Sequence, residues 1–361
     1  MNSIKKKLSI VIISFLIQIT LFNTFSYSQD KLLITNPRVE YKTNPIGIDE
    51  LKPRFSWEII SDKKNILQTK FEIVFSNDEN NFDSQQKSWE IIKESDQSIH
   101  VEYEGPELQS RQRVYWKVRV WDNHDRISDW SEVSFWEMGL LNSGDWKAEF
   151  VQANITEDIK KSQPAQYFRK EFETAKKIKN ARLYITSHGL YEAYINGEKV
   201  GDQVFTPGWT SYNKRLQYQT YDITNMIKDQ NAIGVILGDG WYRGYLAWND
   251  NRNVYGEKLA VLAQIEIEYS DGSKSIVKTD ESWEATNNGP IIKSDIYMGE
   301  EYDARKELSG WNTFGYDESW EKTSVKYFDK NNLVASEGPA VRKIQEIKPI
   351  NIIAKEDDKY I

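Results

Sequence analysis

Val114-Tyr115-Trp116-Lys117-Val118-Arg119-Val120-Trp121 interleaves one set of residues, Val, Trp, Val, Val, with a second set, Tyr, Lys, Arg, Trp, and the pattern breaks at Asp122-Asn123. A side-chain period of two is the period of a β-strand with one face buried. The same device appears upstream. Phe55, Trp57 and Ile59 alternate with Ser56 and Glu58, and Phe71, Ile73 and Phe75 repeat it. Polar turns separate these runs, and no long segment with a 3.6-residue period lies between them. The pattern predicts an antiparallel β-sandwich over residues 30–141, followed by a linker at residues 139–146.

Beyond the linker the strand pattern resumes. Residues 167–172, 181–186, 216–221, 231–237 and 259–269 read as strands. Residues 191–195 run into Asn196-Gly197, a strong two-residue hairpin signal, and return through Glu198-Lys199-Val200. Only residues 222–228 and 318–320 suggest helical turns. Residues 146–340 are expected to form a larger β-sandwich of jelly-roll, galactose-binding-like type. From residue 341 the apolar pattern Ile344, Ile347, Ile350, Ile352 reads as the truncated start of a third β-domain, because about twenty residues cannot bury a core of their own. The expected fold class is therefore all-β.

Composition narrows the function classes. The chain has 361 residues, 13 Trp, 20 Tyr, no Cys and a net charge of -8. Without cysteine there is no disulfide, no thiol chemistry and no Cys-ligated zinc. An acidic chain lacks the clustered cations that a nucleic-acid partner requires. Lys5-Lys6-Lys7, an apolar run over residues 8–22 and the small residues Ser26-Tyr27-Ser28 predict a signal peptide over residues 1–28. That apolar run is shorter than the ~20 residues of a membrane span. The mature chain is then expected to be periplasmic or secreted, with no span left after cleavage. Residues 1–28 hold three Lys and no acid, so their loss leaves a charge nearer -11.

One stretch is richest in binding chemistry: Leu237-Gly238-Asp239-Gly240-Trp241-Tyr242-Arg243-Gly244-Tyr245-Leu246-Ala247-Trp248. It places three glycines, four aromatics, one Asp and one Arg within twelve residues. Flat apolar faces beside a few directional polar groups suit a sugar ring. The alternative is a wide turn whose aromatics pack on a sheet. Asp239, Trp241, Tyr242, Arg243 and Trp248 are the candidate substrate-binding residues.

Other chemistries find little support. His100, His124 and His188 are not at metal-ligand spacing. Ser187-His188 has no triad logic, and no nucleophile elbow is present. Gly238, Gly240 and Gly244 miss the dinucleotide spacing, and no helix is expected after them. Asn249-Asp250-Asn251 with Asn253 has oxygen ligands for calcium but reads better as a polar turn. Asp295, Glu300, Glu301 and Asp303 read as a strand, a glycine turn and an ion pair with Arg305 rather than as the carboxylate pair of a glycosidase.

Several ordered segments carry a family resemblance. Residues 115–121, the turn and Ser128-Asp129-Trp130-Ser131 look like the end of a fibronectin type III domain. Asn44-Pro45-Ile46-Gly47-Ile48-Asp49 and Pro53-Arg54-Phe55-Ser56-Trp57 come before it, and Tyr191-Glu192-Ala193-Tyr194-Ile195-Asn196-Gly197 and Thr206-Pro207-Gly208-Trp209-Thr210 come after it. Residues 218–224, 238–246 and 295–305 complete the set. From about residue 36 onward the chain resembles the N-terminal half of bacterial α-L-rhamnosidases.

The resemblance implies an architecture: a sandwich spacer, a sugar-contacting sandwich, a further β-domain, an (α/α)6 catalytic barrel and a C-terminal β-domain. It implies inverting hydrolysis of terminal α-L-rhamnose by two carboxylates ~6.5–9.5 Å apart. In the family both carboxylates lie in the barrel, which these residues do not reach, so no catalytic residue is assigned. Some members bind rhamnose in a related module through calcium held by an Asp-Asn pair. Here Ile195-Asn196 lacks the Asp. Asn196 is kept as a substrate-binding candidate, no cofactor is expected, and calcium is left open. The expected partners are rhamnose-containing glycans or glycosides and, for a split gene, a separately encoded catalytic portion. The alternative is a stand-alone carbohydrate-binding or interaction module without hydrolase activity.

Overall fold

A computed structural model describes residues 31–82, 89–351, 354–356 and 359–360. Residues 1–28, read from the sequence as a signal peptide, lie outside them. By contacts the chain divides into two units. The first takes in residues up to 44, 52–106 and 114–135, and the second takes in residues 45–51, 107–113 and 136–361.

The first unit is a sandwich of two sheets whose central strands pair antiparallel with their neighbours. In one, Arg54–Ser61 lies between Leu32–Val39 and Val101–Glu102. In the other, Gln68–Ser76 lies between Trp89–Glu94 and Arg113–Asp122. The alternation that opened the sequence reading is realised residue by residue: Val114, Trp116, Val118 and Val120 are buried, while Tyr115, Lys117 and Arg119 are not. The inner faces interlock through rings. Phe55 meets Trp116 at 4.9 Å between centroids, and Trp57 meets Phe71 at 5.3 Å. The Trp57 indole N–H is satisfied by the Gln68 amide oxygen at 3.0 Å, as a buried donor requires.

The second unit is also a sandwich. One sheet has six strands in the order Glu198–Lys199, Leu190–Ile195, Gln230–Gly238, Gln166–Glu173, Glu284–Thr286, Glu321–Lys322. The facing sheet is built on Ala260–Tyr269 and Ile178–His188, which pair antiparallel over their whole lengths. Parity sorts the six-stranded sheet. Ile195, Ile233, Val235, Leu237 and Phe168 point inward and join Leu183, Ile185, Val261 and Ile265 in one core. Tyr167, Tyr194 and Ile236 take the other face and join a second cluster under Trp311.

Three local expectations change. A single helical turn, Gly240–Arg243, follows the Gln230–Gly238 strand where no helix was expected. Residues 318–320 are not helical, whereas a 3-10 turn, Thr224–Met226, does fall within residues 222–228. Ile344, Ile347 and Ile350 are not in a strand and are almost fully exposed, because no second layer among the described residues covers them, and Ile352 lies outside the described residues. Residues 295–305 are as read from the sequence. Ile291–Asp295 and Gly299–Tyr302 form a hairpin, and Arg305 pairs with Asp303. Among the described residues no helix is long and apolar enough to cross a membrane.

Candidate functional site

Gln230–Gly238 is an interior strand of the six-stranded sheet. At its end the chain must turn over the neighbouring strand. Gly240 makes that turn at φ +53, and a Cβ there would sit 2.4 Å from the Leu190 Cγ. Only glycine takes both the conformation and the space without strain. The helical turn that follows replaces a period of two with one near 3.6, so adjacent side chains separate by direction.

Asp239 and Arg243, one turn apart, point inward and are 1% and 0% exposed. The Arg243 Nε donates to Asp239 Oδ1 at 2.7 Å, and its Nη1 donates to Glu157 Oε2 at 2.6 Å. Burial opposes its charge, but the Asp239 and Glu157 carboxylates outweigh that and hold the guanidinium above its ordinary pKa. Arg252 extends the chain of charges. It donates to Asp239 Oδ2 at 2.9 Å and lies 3.5 Å from Asp295 Oδ2. Asp295 also accepts the backbone N–H groups of Tyr245, Tyr297 and Met298 at 2.9–3.1 Å. Three carboxylates and two guanidiniums thus lock residues 239–252 to two distant segments.

Tyr242 also turns inward. Its ring stacks on His188 at 4.6 Å with an interplanar angle of 2°, and His188 stacks in turn on Phe150 at 4.9 Å. Burial in this pile lowers the His188 pKa to about 4, so the imidazole is neutral at pH 7. Ser187 and His188 do not form a nucleophile–base pair: the Ser187 hydroxyl donates to the Gly189 carbonyl at 2.9 Å.

The outward side is aromatic. Trp241 is half-buried and stacks on Trp209 at 5.8 Å and 6°. Phe205 closes its edge at 6.1 Å, and the Trp209 indole donates to the Tyr255 hydroxyl at 3.3 Å. Phe205 and Trp209 are about half exposed, and Trp248, on the loop that follows, is 86% exposed. The Asn249–Asn253 segment is a turn with left-handed residues at Asn249, Asp250 and Asn253, as its composition suggests.

The structure therefore divides the six predicted residues. Trp241 and Trp248 present rings to solvent. Asp239, Tyr242 and Arg243 form the support behind them, with no face left for a ligand. Asn196 is elsewhere. It caps the hairpin at the Ile195/Ile233 end, whereas Gly238 pairs with Leu190 at the other. Six residues of strand separate the two ends by roughly 20 Å. The Asn196 amide is occupied by the Met226 carbonyl, the Asn231 side chain and the Ala232 N–H, each at 2.9 Å.

Sequence reasoning missed Phe205 and Trp209 as site residues. Their signal was present: Trp209 stands in the segment already singled out, residues 206–210, and Phe205 immediately precedes it. The supporting Glu157 and Arg252 carried no such signal, being single charges 86 and 9 residues from Arg243. In chemical terms the arrangement offers rigid ring faces at the surface. Its nearest carboxylates, Glu157, Asp239 and Asp295, accept from guanidinium and backbone N–H groups. Among the described residues no three His, Cys, Asp or Glu side chains are grouped to hold a metal ion.

The comparisons with known proteins agree with this architecture. Residues 34–142 match the profile of the Rha78A-like N-terminal immunoglobulin domain, and residues 176–345 match that of the alpha-L-rhamnosidase N-terminal domain. An alpha-L-rhamnosidase of Formosa agariphila is 41% identical over 283 residues, which is 76% of this chain and 31% of that protein. The crystal structure of native α-L-rhamnosidase from Aspergillus terreus superposes with a TM-score of 0.84 at 36% identity, over 91% of this chain and 38% of that one. A Streptomyces avermitilis alpha-L-rhamnosidase crystallised with L-rhamnose shares the fold, with a TM-score of 0.83 at 24% identity over 91% and 48% of the two chains. The chain spans about a third of the length of the curated relatives it matches at 40% identity or more. By both domain profiles and by these identities, the chain belongs to the α-L-rhamnosidase family and corresponds to its N-terminal portion.

Proposed function

We propose that this chain is the carbohydrate-recognising, non-catalytic N-terminal part of an extracytoplasmic α-L-rhamnosidase, an inverting hydrolase of terminal α-L-rhamnose. One observation carries the reading. Trp209 and Trp241 are stacked at the surface, with Trp248 on the next loop, above a buried ion-pair network that fixes the segment. A deoxy-sugar has an apolar face and a methyl group that lie well on such rings, and preorganised rings lose little entropy on binding. The Streptomyces avermitilis enzyme, which shares the fold, was crystallised with L-rhamnose, which supports the choice of sugar.

Hydrolysis is assigned to a part of the enzyme outside these residues, encoded either in line or separately. The test is a titration of the purified chain with methyl α-L-rhamnoside, beside an assay with 4-nitrophenyl α-L-rhamnoside. Binding that weakens in Trp241→Ala, with no release of nitrophenol, is the expected result. Measurable turnover by the chain alone refutes the non-catalytic assignment. Undiminished binding in Trp241→Ala refutes the site.

A further inference from the structure

The outer face of the six-stranded sheet carries a second feature that none of the rhamnosidase profiles or relatives assigns. Residues 290–312 cross over it and leave a cleft of about 310 Å³. That is at the small end of ligand clefts, ~300–1,000 Å³, and suits a mono- or disaccharide. Its floor is the outward parity of the sheet, Tyr167 and Tyr194, and its wall is Trp311. Trp311 stands edge-on to Tyr167 at 5.2 Å and to Tyr194 at 5.9 Å.

The wall is held in place rather than merely collapsed. The buried Arg169 donates its Nε to the Trp311 carbonyl at 2.9 Å and its Nη2 to the Thr313 carbonyl at 3.2 Å. The Gly197 N–H at the hairpin tip donates to the Asn312 carbonyl at 3.0 Å. Gly234 admits the Trp311 ring, since a Cβ there would lie 2.6 Å from it. A cleft fixed in this way keeps its shape without a ligand.

Its polar groups converge and are acidic. Glu192 and the exposed Glu307 line it, with Tyr302 at the rim. The Glu192 carboxylate takes the Tyr194 hydroxyl at 2.8 Å and the Lys199 ammonium, and each of its oxygens retains a lone pair. Carboxylates accept from sugar hydroxyls and repel carboxylate or sulfate groups. Two carboxylates face one ammonium here, so an anionic sugar is disfavoured. We propose that this cleft, bounded by Tyr167, Tyr194, Trp311, Glu192 and Glu307, binds a neutral pyranoside as a second carbohydrate site, independent of the Trp241 surface.

The test follows the Trp311 resonance by fluorine NMR of the full chain made with 5-fluorotryptophan, assigned by Trp311→Phe. Methyl α-L-rhamnoside and a neutral disaccharide are the probes, and D-glucuronate is the anionic counterpart. The neutral probes are expected to shift the Trp311 signal and glucuronate to leave it in place. Glu307→Lys, at an exposed position, is expected to weaken the neutral probes about tenfold through loss of a charged acceptor and to admit glucuronate. A Trp311 signal that no neutral probe moves in the folded chain overturns the proposal, as does an equal response to glucuronate. A Trp311 shift that disappears in Trp248→Ala overturns the independence of the two sites. A shift that persists while binding at Trp241 is absent leaves this proposal standing and removes only the functional reading above.

Discussion

Replacing Arg243 with Met tests whether the buried charges hold the 239–252 segment. The side chain is 0% exposed and bridges Asp239 and Glu157, themselves 1% and 6% exposed at the side chain. Met fills much of the volume but leaves both carboxylates without that counter-charge. Arg252 still reaches Asp239 at 2.9 Å, but Glu157 keeps only the Gln166 amide at 3.0 Å. Removing one partner of a buried ion pair costs about 3–5 kcal/mol, because a desolvated charge is stranded. At ~2–4 °C per kcal/mol for a domain of this size, the second unit should melt roughly 6–20 °C lower. Differential scanning calorimetry reads this, since the two units give separable transitions if they unfold independently. Adding Asp239→Asn and Glu157→Gln to the variant removes the stranded charges and should restore half or more of the loss. A midpoint shift under about 2 °C for Arg243→Met, below one kcal/mol, refutes the reasoning. So does a triple variant no more stable than the single one.

Four further outcomes are expected. Trp209→Ala, at a half-exposed ring, should weaken methyl α-L-rhamnoside binding about tenfold by calorimetric titration and leave the melting midpoint within about 2 °C. Gly240→Ala should destabilise the second unit by about 2 kcal/mol, checked by urea unfolding, since its φ of +53 strains any Cβ and Leu190 occupies the space. His188 supplies a pH dependence. Its pKa is near 4 folded and 6.5 as a free side chain, so between those values the unfolded chain binds a proton that the folded chain refuses. The contribution is complete above pH 6.5 and falls as pH drops, to a loss of about 3 kcal/mol near pH 4. His188→Phe should flatten that part of the stability–pH curve relative to wild type. Asn196→Ala should cost about 1–3 kcal/mol through three lost hydrogen bonds and a left-handed backbone, φ +53, with rhamnoside affinity unchanged.

Much of the fold was legible because strand periodicity is a local signal. The alternation at residues 114–121, the Asn196-Gly197 hairpin and the buried run at residues 259–269 each needed only neighbouring residues to be read. The apolar spacing at residues 344–350 looked similar, but among the described residues no sheet pairs with it, and its isoleucines are exposed. The site was legible only in part. Residues 237–248 advertised rings and charges, yet which ones faced water depended on the helical turn that Gly240 initiates. That turn sends Tyr242 to His188 and Arg243 to Glu157 while leaving Trp241 beside Trp209. The partners come from residues 150, 157, 188 and 209, and no pattern within a short window announces them. The cleft under Trp311 was unreadable for the same reason, since its floor and wall lie more than a hundred residues apart in sequence.

Glu157, Asp239, Arg243, Arg252 and Asp295 also constrain how such a sequence can drift. Loss of either guanidinium takes the ion-pair partner from a buried carboxylate, Glu157 for Arg243 and Asp295 for Arg252, so such single changes are disfavoured even where the final combination would be well packed. Each guanidinium should therefore be abandoned only together with that carboxylate, and lineages lacking Arg243 should lack Glu157 too, with uncharged residues in their places.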